Sequence, residues 1–382
     1  MKDCKPIYSL LMLLCLAISI PAHAMTTSDK YQCPSQQQFE YQFESGNRWQ
    51  FCWQWDNRYG VSLHDVSFST IRGSTNTYIA SAIALNQIEL VDAQDTSNIN
   101  QITQLDKTQS TLSGNCPNGT LLSDSDNTPL LCIKPSSEDY AMHNDGDSRR
   151  KNSVDVLSLI TVDNNQFVSR LRLHDDGSFT PSASLITDSS NNTHYIVNYF
   201  WRLDLDIGAT ATNDHVEEFR THIRKGRNKR EIRTNTVLQP AEFKKQYDRK
   251  KMKSWRVYDG QITNEYDMPS SYHIFPLGHA AIERDVQRPW TESDVYFTNY
   301  HPCEHKALNN NEADCAENVV QMVDQETITD VVAWVKLTAH HTPPYTSSND
   351  LALVWQEFTV YPRDVYSRNP NYPEPEIPVP LD

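Results

Sequence analysis

The sequence predicts an all-β protein. Short runs in which apolar and polar residues alternate recur along most of the 382-residue chain, which is the period of a strand with one face buried. Tyr and Trp are plentiful, at 18 and 8, while Gly is scarce, at 11; aromatic side chains suit a pleated, half-buried surface. Asn, Asp, Ser and Thr fill the gaps between runs, as turn residues do.

Met1 to Ala24 carries Lys2 and Lys5, an apolar run from Leu10 to Ile20, then Pro21-Ala22-His23-Ala24. This is the layout of a secretory signal with a small-x-small cleavage site. The run is too short to anchor the chain across a bilayer, and no later segment is long and apolar enough to do so. A signal peptide over residues 1–24, one domain over 25–382 and a secreted or periplasmic address are expected. Cys4 and Cys15 leave with the leader. The six that remain, Cys33, Cys52, Cys116, Cys132, Cys303 and Cys315, are an even number in an exported chain and argue for disulfides. Sequence does not fix their connectivity; pairing neighbours is simplest, since each pair closes a short loop. None forms a Cys-x-x-Cys pair, which disfavours zinc or thioredoxin-like chemistry. A net charge of −15 disfavours nucleic acid as a partner.

Residues 25–35 are polar. From Phe39 to Phe68 the alternation is strong, through Tyr41, Phe43, Trp49, Phe51, Trp53, Trp55, Val61 and Leu63. It reads as a β-meander with a turn at Asn57-Arg58-Tyr59-Gly60. Tyr78–Val91 reads as another strand pair. Residues 92–130 read as a long surface loop held by Cys116 and Cys132. Residues 153–187 hold two or three strands, with a turn at Asp175-Asp176-Gly177. The run from His194 to Ile207 is aromatic and β-branched and reads as a buried strand. It ends in Arg202-Leu203-Asp204-Leu205-Asp206, and charges at the end of a buried strand need solvent, a partner or a metal.

Residues 220–256 break the composition: fourteen Lys and Arg face only Glu231, Glu242 and Asp248. They read as a solvated loop and helix face. The sharper reading is a site for an anionic partner such as a glycan, a lipid head group or an acidic protein. Trp255–Val257, Tyr272–Phe275, Val295–Tyr300, Val331–Leu337 and Leu351–Val360 read as further strands, and Pro370 to Pro380 as an extended Pro-rich tail.

Several stretches, taken in order, resemble the catalytic domain of the copper-dependent, quinone-containing amine oxidases. Trp49-Gln-Phe-Cys-Trp-Gln-Trp-Asp-Asn-Arg-Tyr-Gly-Val-Ser-Leu-His-Asp-Val66 is similar to that domain's first meander. Ser254-Trp-Arg-Val257 and Ser271-Tyr-His-Ile-Phe-Pro276 resemble its middle. Asp330-Val-Val-Ala-Trp-Val335, His340-His-Thr-Pro343 and Ser367-Arg-Asn-Pro370 resemble its end, and Arg202-Leu-Asp-Leu-Asp206 is shared with the family. The matches are collinear and cover most of residues 40–375. The resemblance implies a large antiparallel β-sandwich with few short helices, and a homodimer.

It also implies a chemistry. A tyrosine in Thr-x-x-Asn-Tyr-(Asp/Glu) becomes topaquinone, and three histidines hold copper, two of them as His-x-His on one strand. An aspartate serves as base. Imidazole suits copper, and His-x-His on a strand puts both rings on one face. This chain departs at nearly every point. The quinone motif aligns with Thr161-Val-Asp-Asn-Asn-Gln-Phe167, so the modified tyrosine is replaced by Asn165. The His-x-His positions hold Tyr195 and Val197. His194 is one residue off, which on a strand points it to the opposite face. Only His341 matches a copper ligand. For the base, Asp92, Asp95 and Asp106 are the nearest candidates in a shortened region. Copper and topaquinone are therefore not expected.

The family's peripheral calcium site is matched by Asp204, the Leu205 carbonyl, Asp206, Asp330 and the Val331 carbonyl. Carboxylates and carbonyls are the oxygen set of a hard cation, and three gathered carboxylates repel unless one neutralises them. The alternative is that Arg202 and solvent satisfy these acids. The expectation is an exported, non-catalytic relative that keeps calcium and has a binding or structural role. The competing expectation is a primary-amine oxidase with a rearranged site, using His194, His340 and His341 as ligands and Tyr195 or Tyr199 as a displaced cofactor.

Overall fold

A computed structural model describes residues 33–71, 76–102, 104–107, 110, 112, 116–144, 147–162, 165–187, 193–208, 212–225, 230–276, 283–342, 354–366 and 370. The leader, Asp163 and Asn164 of the aligned quinone motif, and the Pro-rich tail past Pro370 lie outside the described residues.

The strands come in chain order as β1 (Gln38–Gln42), β2 (Arg48–Asp56), β3 (Gly60–Ser69), β4 (Asn76–Asp92) and β5 (Ile99–Ile102). Next are β6 (Thr120–Ser123), β7 (Pro129–Asn144), β8 (Asp147–Val162), β9 (Asn165–His174) and β10 (Phe179–Thr187). They are followed by β11 (Tyr195–Asp204), β12 (Asp214–Lys225), β13 (Arg230–Gln239), β14 (Phe243–Lys245) and β15 (Ser254–Thr263). The last are β16 (Pro269–Phe275), β17 (Val295–Asn299), β18 (Val331–His341), β19 (Gln356–Glu357) and β20 (Thr359–Arg363). Short 3-10 turns at Ser35–Gln37 and Pro289–Thr291 are the helical pieces among the described residues.

The strands form two antiparallel sheets. The nine-stranded sheet runs β1-β2-β3-β4-β11-β18-β17-β14, with β5 on β4. The eleven-stranded sheet runs β13-β12-β15-β16-β20-β10-β9-β8-β7-β6, with β19 on β10. They pack face to face as a sandwich whose core draws on both, including Trp49, Phe68, Tyr199, Phe179, Trp255 and Tyr272. Trp49 of the smaller sheet sets its ring 6.3 Å from Phe179 of the larger, and its indole N–H donates to the His174 carbonyl at 2.7 Å. The meander and the turns at 57–60 and 175–177 form where the sequence puts them. Gly177 carries the turn at φ +82°, a conformation that suits glycine.

The structure corrects three readings. Tyr78–Val91 is not a strand pair but lies within one strand, β4, which pairs with β3 along its first half and β11 along most of its length. A bulge against Phe200 and Trp201 absorbs Asn86 while Gln87 stays in register with Phe200, so the chain runs on as one strand through it. The 92–130 loop contains β5 and β6. The basic segment is not a helix face but a β-ribbon, β12–β13, in unbroken register from Val216↔Gln239 to Lys225↔Arg230. The disulfides join Cys33 to Cys52, Cys116 to Cys132 and Cys303 to Cys315.

The smaller sheet is covered on both faces where it matters most. Odd-numbered residues of β11, from Val197 to Leu203, enter the sandwich core. Phe200 points the other way, into a second apolar cluster with Tyr296, Leu308, Val319, Met322, Val332 and Trp334. The segment closed by Cys303–Cys315 contributes Ala307 and Leu308 to this outer cover. Burial on both faces explains why β11 reads as a nearly continuous apolar run.

Candidate functional site

β11 and β18 are antiparallel neighbours in regular register, from Tyr195↔His341 to Asp204↔Val332. Opposed residues share a face, so Tyr195, Val197, Ala339 and His341 line the inner side of the pair. Val197 is fully buried. His341 is half-buried, and burial, then the neighbouring His194, hold its imidazole below the ordinary range. His340 points to the opposite face and is exposed. Tyr199, two residues beyond Val197, is fully buried; its hydroxyl has no hydrogen-bond partner among the described residues, and burial raises its pKa.

Asn165 begins β9 on the other sheet, between Val162 and Thr187. It is buried, and its Oδ1 has no partner among the described residues. The candidate bases lie in a surface turn and loop. Asp92 Oδ1 accepts the Gln94 and Asp95 amides at 2.8 and 3.3 Å, and Asp95 and Asp106 are exposed. A phenol, an isopropyl group and one imidazole do not make a copper donor set. The residues at these three positions do not fit that metal.

The other end of the same strand pair is acidic. Carboxylate oxygens of Asp204, Asp206 and Asp330 lie within 4.8 Å of one another. The Leu205 amide donates to the Val331 carbonyl at 3.2 Å, which fixes the Asp-Leu-Asp segment against the start of β18. That carbonyl keeps a second lone pair, and the Leu205 carbonyl adds another acceptor.

A fourth acid, Asp214 at the head of β12, was not singled out from sequence. It is fully buried, its Oδ2 accepts the Val331 amide at 3.0 Å, and its Oδ1 has no partner among the described residues. An acid opening the strand after Asp-Leu-Asp was the only signal.

Among the described residues Arg202 is the guanidinium that faces this group, with His301 further off beside Asp330. Arg202 reaches Asp204 Oδ2 at 3.1 Å, its guanidinium held between the rings of Tyr300 and Trp334 at 5.5 and 5.8 Å. It does not balance the acids. Burial raises Asp204 despite Arg202. Burial, then Asp204, pushes Asp330 up to about 7. Burial, then the Asp206 and Asp330 charges, pushes Asp214 up to about 9. Such crowding is what a divalent cation relieves, and the donors are the hard oxygens it takes.

Glu242, His301 and Glu326 form a second such group among the described residues. Glu242 accepts the Asn299 and Asp324 amides at 2.8 and 2.9 Å, and buried Glu304 nearby is pushed up to about 7, by burial first.

Residues 187–376 match the family model described as copper amine oxidase, enzyme domain. The matched span takes in β11, the acidic group and His341, and begins after Asn165. A copper-containing benzylamine oxidase from Hansenula polymorpha shares the fold at a TM-score of 0.67 and 12% identity, over 84% of this chain and 59% of that one. An amine oxidase from Aspergillus nidulans gives 0.70 and 15%, over 85% and 52%. A lysyl oxidase from Pichia pastoris gives 0.62 and 16%, over 84% and 51%. This chain thus spans between half and three-fifths of the length of these structures. No curated protein sequence is significantly similar to it. Among the described residues no helix is long and apolar enough to cross a membrane.

Proposed function

Because the chain belongs to the copper amine oxidase family by its enzyme domain, it carries the fold of a redox enzyme, and we propose that it is an exported, non-catalytic member with a binding or structural role. One observation carries this reading. Where copper needs three imidazoles, the inner face of β11 and β18 presents Tyr195, Val197 and His341. Asn165 at the aligned quinone position has no ring to oxidise.

The acidic group supports a retained calcium site. Asp204, Asp206 and Asp330, with the Leu205 and Val331 carbonyls, would hold the ion, and Asp214 would stand beside it. Calcium there would neutralise buried carboxylates and tie β11 to β18. It supplies no redox chemistry. The three disulfides support an oxidising compartment after export. A homodimer and an anionic ligand at residues 220–256 complete the proposal.

Metal analysis of purified mature protein, paired with a quinone-reactive hydrazine stain, tests it. The expected result is about one calcium ion per chain, no copper and no staining. Staining after copper loading in air would overturn the non-catalytic reading.

That result would favour the second reading, an amine oxidase with a displaced centre. Two observations speak for it: His194 lies close enough to His341 to depress it, and the buried Tyr199 hydroxyl lacks a partner among the described residues. Oxygen consumption with a simple primary amine would then follow the stain.

A further inference from the structure

The β12–β13 ribbon is the outermost pair of the larger sheet, with β13 on its edge. β15 accompanies β12 only as far as Phe219↔Ser254. Beyond that point the ribbon runs on to Lys225↔Arg230 without β15 beside it. In this extension Ile223 and Ile232 stand directly opposite each other and are 59% and 68% exposed. Thr221 and Thr234, the next pair inward, join their hydroxyls at 3.2 Å. Leu238, on the same face, is also exposed. A cross-strand isoleucine pair steadies a ribbon only slightly and leaves an apolar patch in water.

The loop before β15 lies against this extension. The Thr221 amide donates to the Lys251 carbonyl at 2.8 Å. Asp248 Oδ1 shapes the loop by accepting the Lys250 and Lys251 amides at 3.1 and 3.2 Å. Its sequence is Arg249-Lys250-Lys251-Met252-Lys253, and Met252 is 55% exposed at φ +43°. An apolar tip therefore sits among bases, on a chain whose net charge is −15. Arg220, His222 and Arg233 occupy the ribbon's other face by register.

Bases alone would suit any polyanion. Exposed isoleucines and a methionine beside them suit a surface that is anionic outside and apolar just beneath, which is an anionic lipid leaflet. We propose that the end of the β12–β13 ribbon and the Arg249–Lys253 loop dock this protein on anionic lipid. Ile223, Ile232 and Met252 enter the head-group region, and Arg249, Lys250 and Lys251 of the loop pair with lipid phosphates, Lys251 exchanging its 3.3 Å surface pair with Asp248 for one. This rests on the reading of the domain as a binding protein and names the class of its anionic partner.

The test is co-sedimentation of the mature protein with phosphatidylcholine vesicles, with and without phosphatidylglycerol. Partition onto the anionic vesicles alone is expected. The triple variant R249Q/K250Q/K251Q should weaken it about 100-fold, near the effect of three surface bases. I223S/I232S should weaken it about tenfold, from lost apolar insertion. All these positions are exposed, so the variants should keep the parent's near-ultraviolet circular dichroism and melting temperature. M252S, a change in a separate element, should give a smaller loss in the same direction. No partition onto anionic vesicles would overturn the proposal. So would undiminished partition of I223S/I232S, together with full competition by a soluble sulfated polysaccharide, which would mark a polyanion site. The hydrazine stain answers the catalytic question separately, so the two readings can fail independently.

Discussion

Tyr195 stands across the sheet from His341, and Val197 shares its face. That register makes a direct prediction. The double variant Y195H/V197H should place three imidazoles on one face and bind copper(II) with the electron paramagnetic resonance spectrum of a nitrogen-ligated ion, which the parent should lack. A variant that folds but shows no such spectrum would mean that the register is wrong. At the acidic end, Asp206→Asn should remove most of the rise in melting temperature that millimolar calcium gives the parent. A cation at a hundredfold over its dissociation constant contributes about 2.7 kcal/mol. Asp204 and Asp206 were legible in sequence because charges rarely end a buried strand. Asp214 was not, because a lone acid opening a strand looks like any solvated one. Only the fold brings it under the Val331 amide.

Elements differed in how plainly they were written. β11 was the clearest, since burial on both faces leaves a continuous aromatic and β-branched run. β4 was misread because Asn86-Gln87 interrupts its apolar pattern. Its bulge and the bond from Gln87 Nε2 to the Ile102 carbonyl at 2.6 Å depend on neighbours no local pattern shows. The basic ribbon differs from the expected loop and helix face because its many Lys and Arg mask the alternation of Thr221, Ile223, Ile232, Thr234 and Thr236 that marks a strand pair. The cover on the outer face of the smaller sheet is the element most open to test. Leu308→Ala should cost about 2–5 kcal/mol, as deep core truncations do, read as a shift in the urea midpoint. Replacing Cys303 and Cys315 by serine opens a short loop and should cost up to about 3 kcal/mol, with amide exchange rising first in residues 303–323.

Across the whole molecule, pH should act from two sides. Burial holds His64 and His305 down to about 4, and His174 and His273 down to about 3. These groups are neutral when folded and take up protons on unfolding, so stability is lost as pH falls from the ordinary histidine range through about 4. Asp330 and Glu304 are raised to about 7 and Asp214 to about 9. The folded state then holds the extra protons, and stability is lost as pH rises from the ordinary carboxylate range through those values. Cation-free protein should thus melt highest between pH 6 and 7, and calcium should flatten the alkaline fall. A melting curve without that fall under chelator would contradict the buried acidic group. The all-β class and the meander were legible because strand period and turn chemistry are local. The sandwich came from family resemblance, and which acids meet was hidden because it depends on how two sheets close.

Successive residues of β11 look out on opposite sides of a single sheet, so Tyr195 and Val197, which align with the family's copper positions, and the acidic group are insulated from each other by a layer of backbone. Drift could erase the redox residues on the inner side without a change in the brace on the outer side. Two neighbouring stretches of one gene can then have separate histories, and an acidic group at one end of a strand is no witness to what the other end binds.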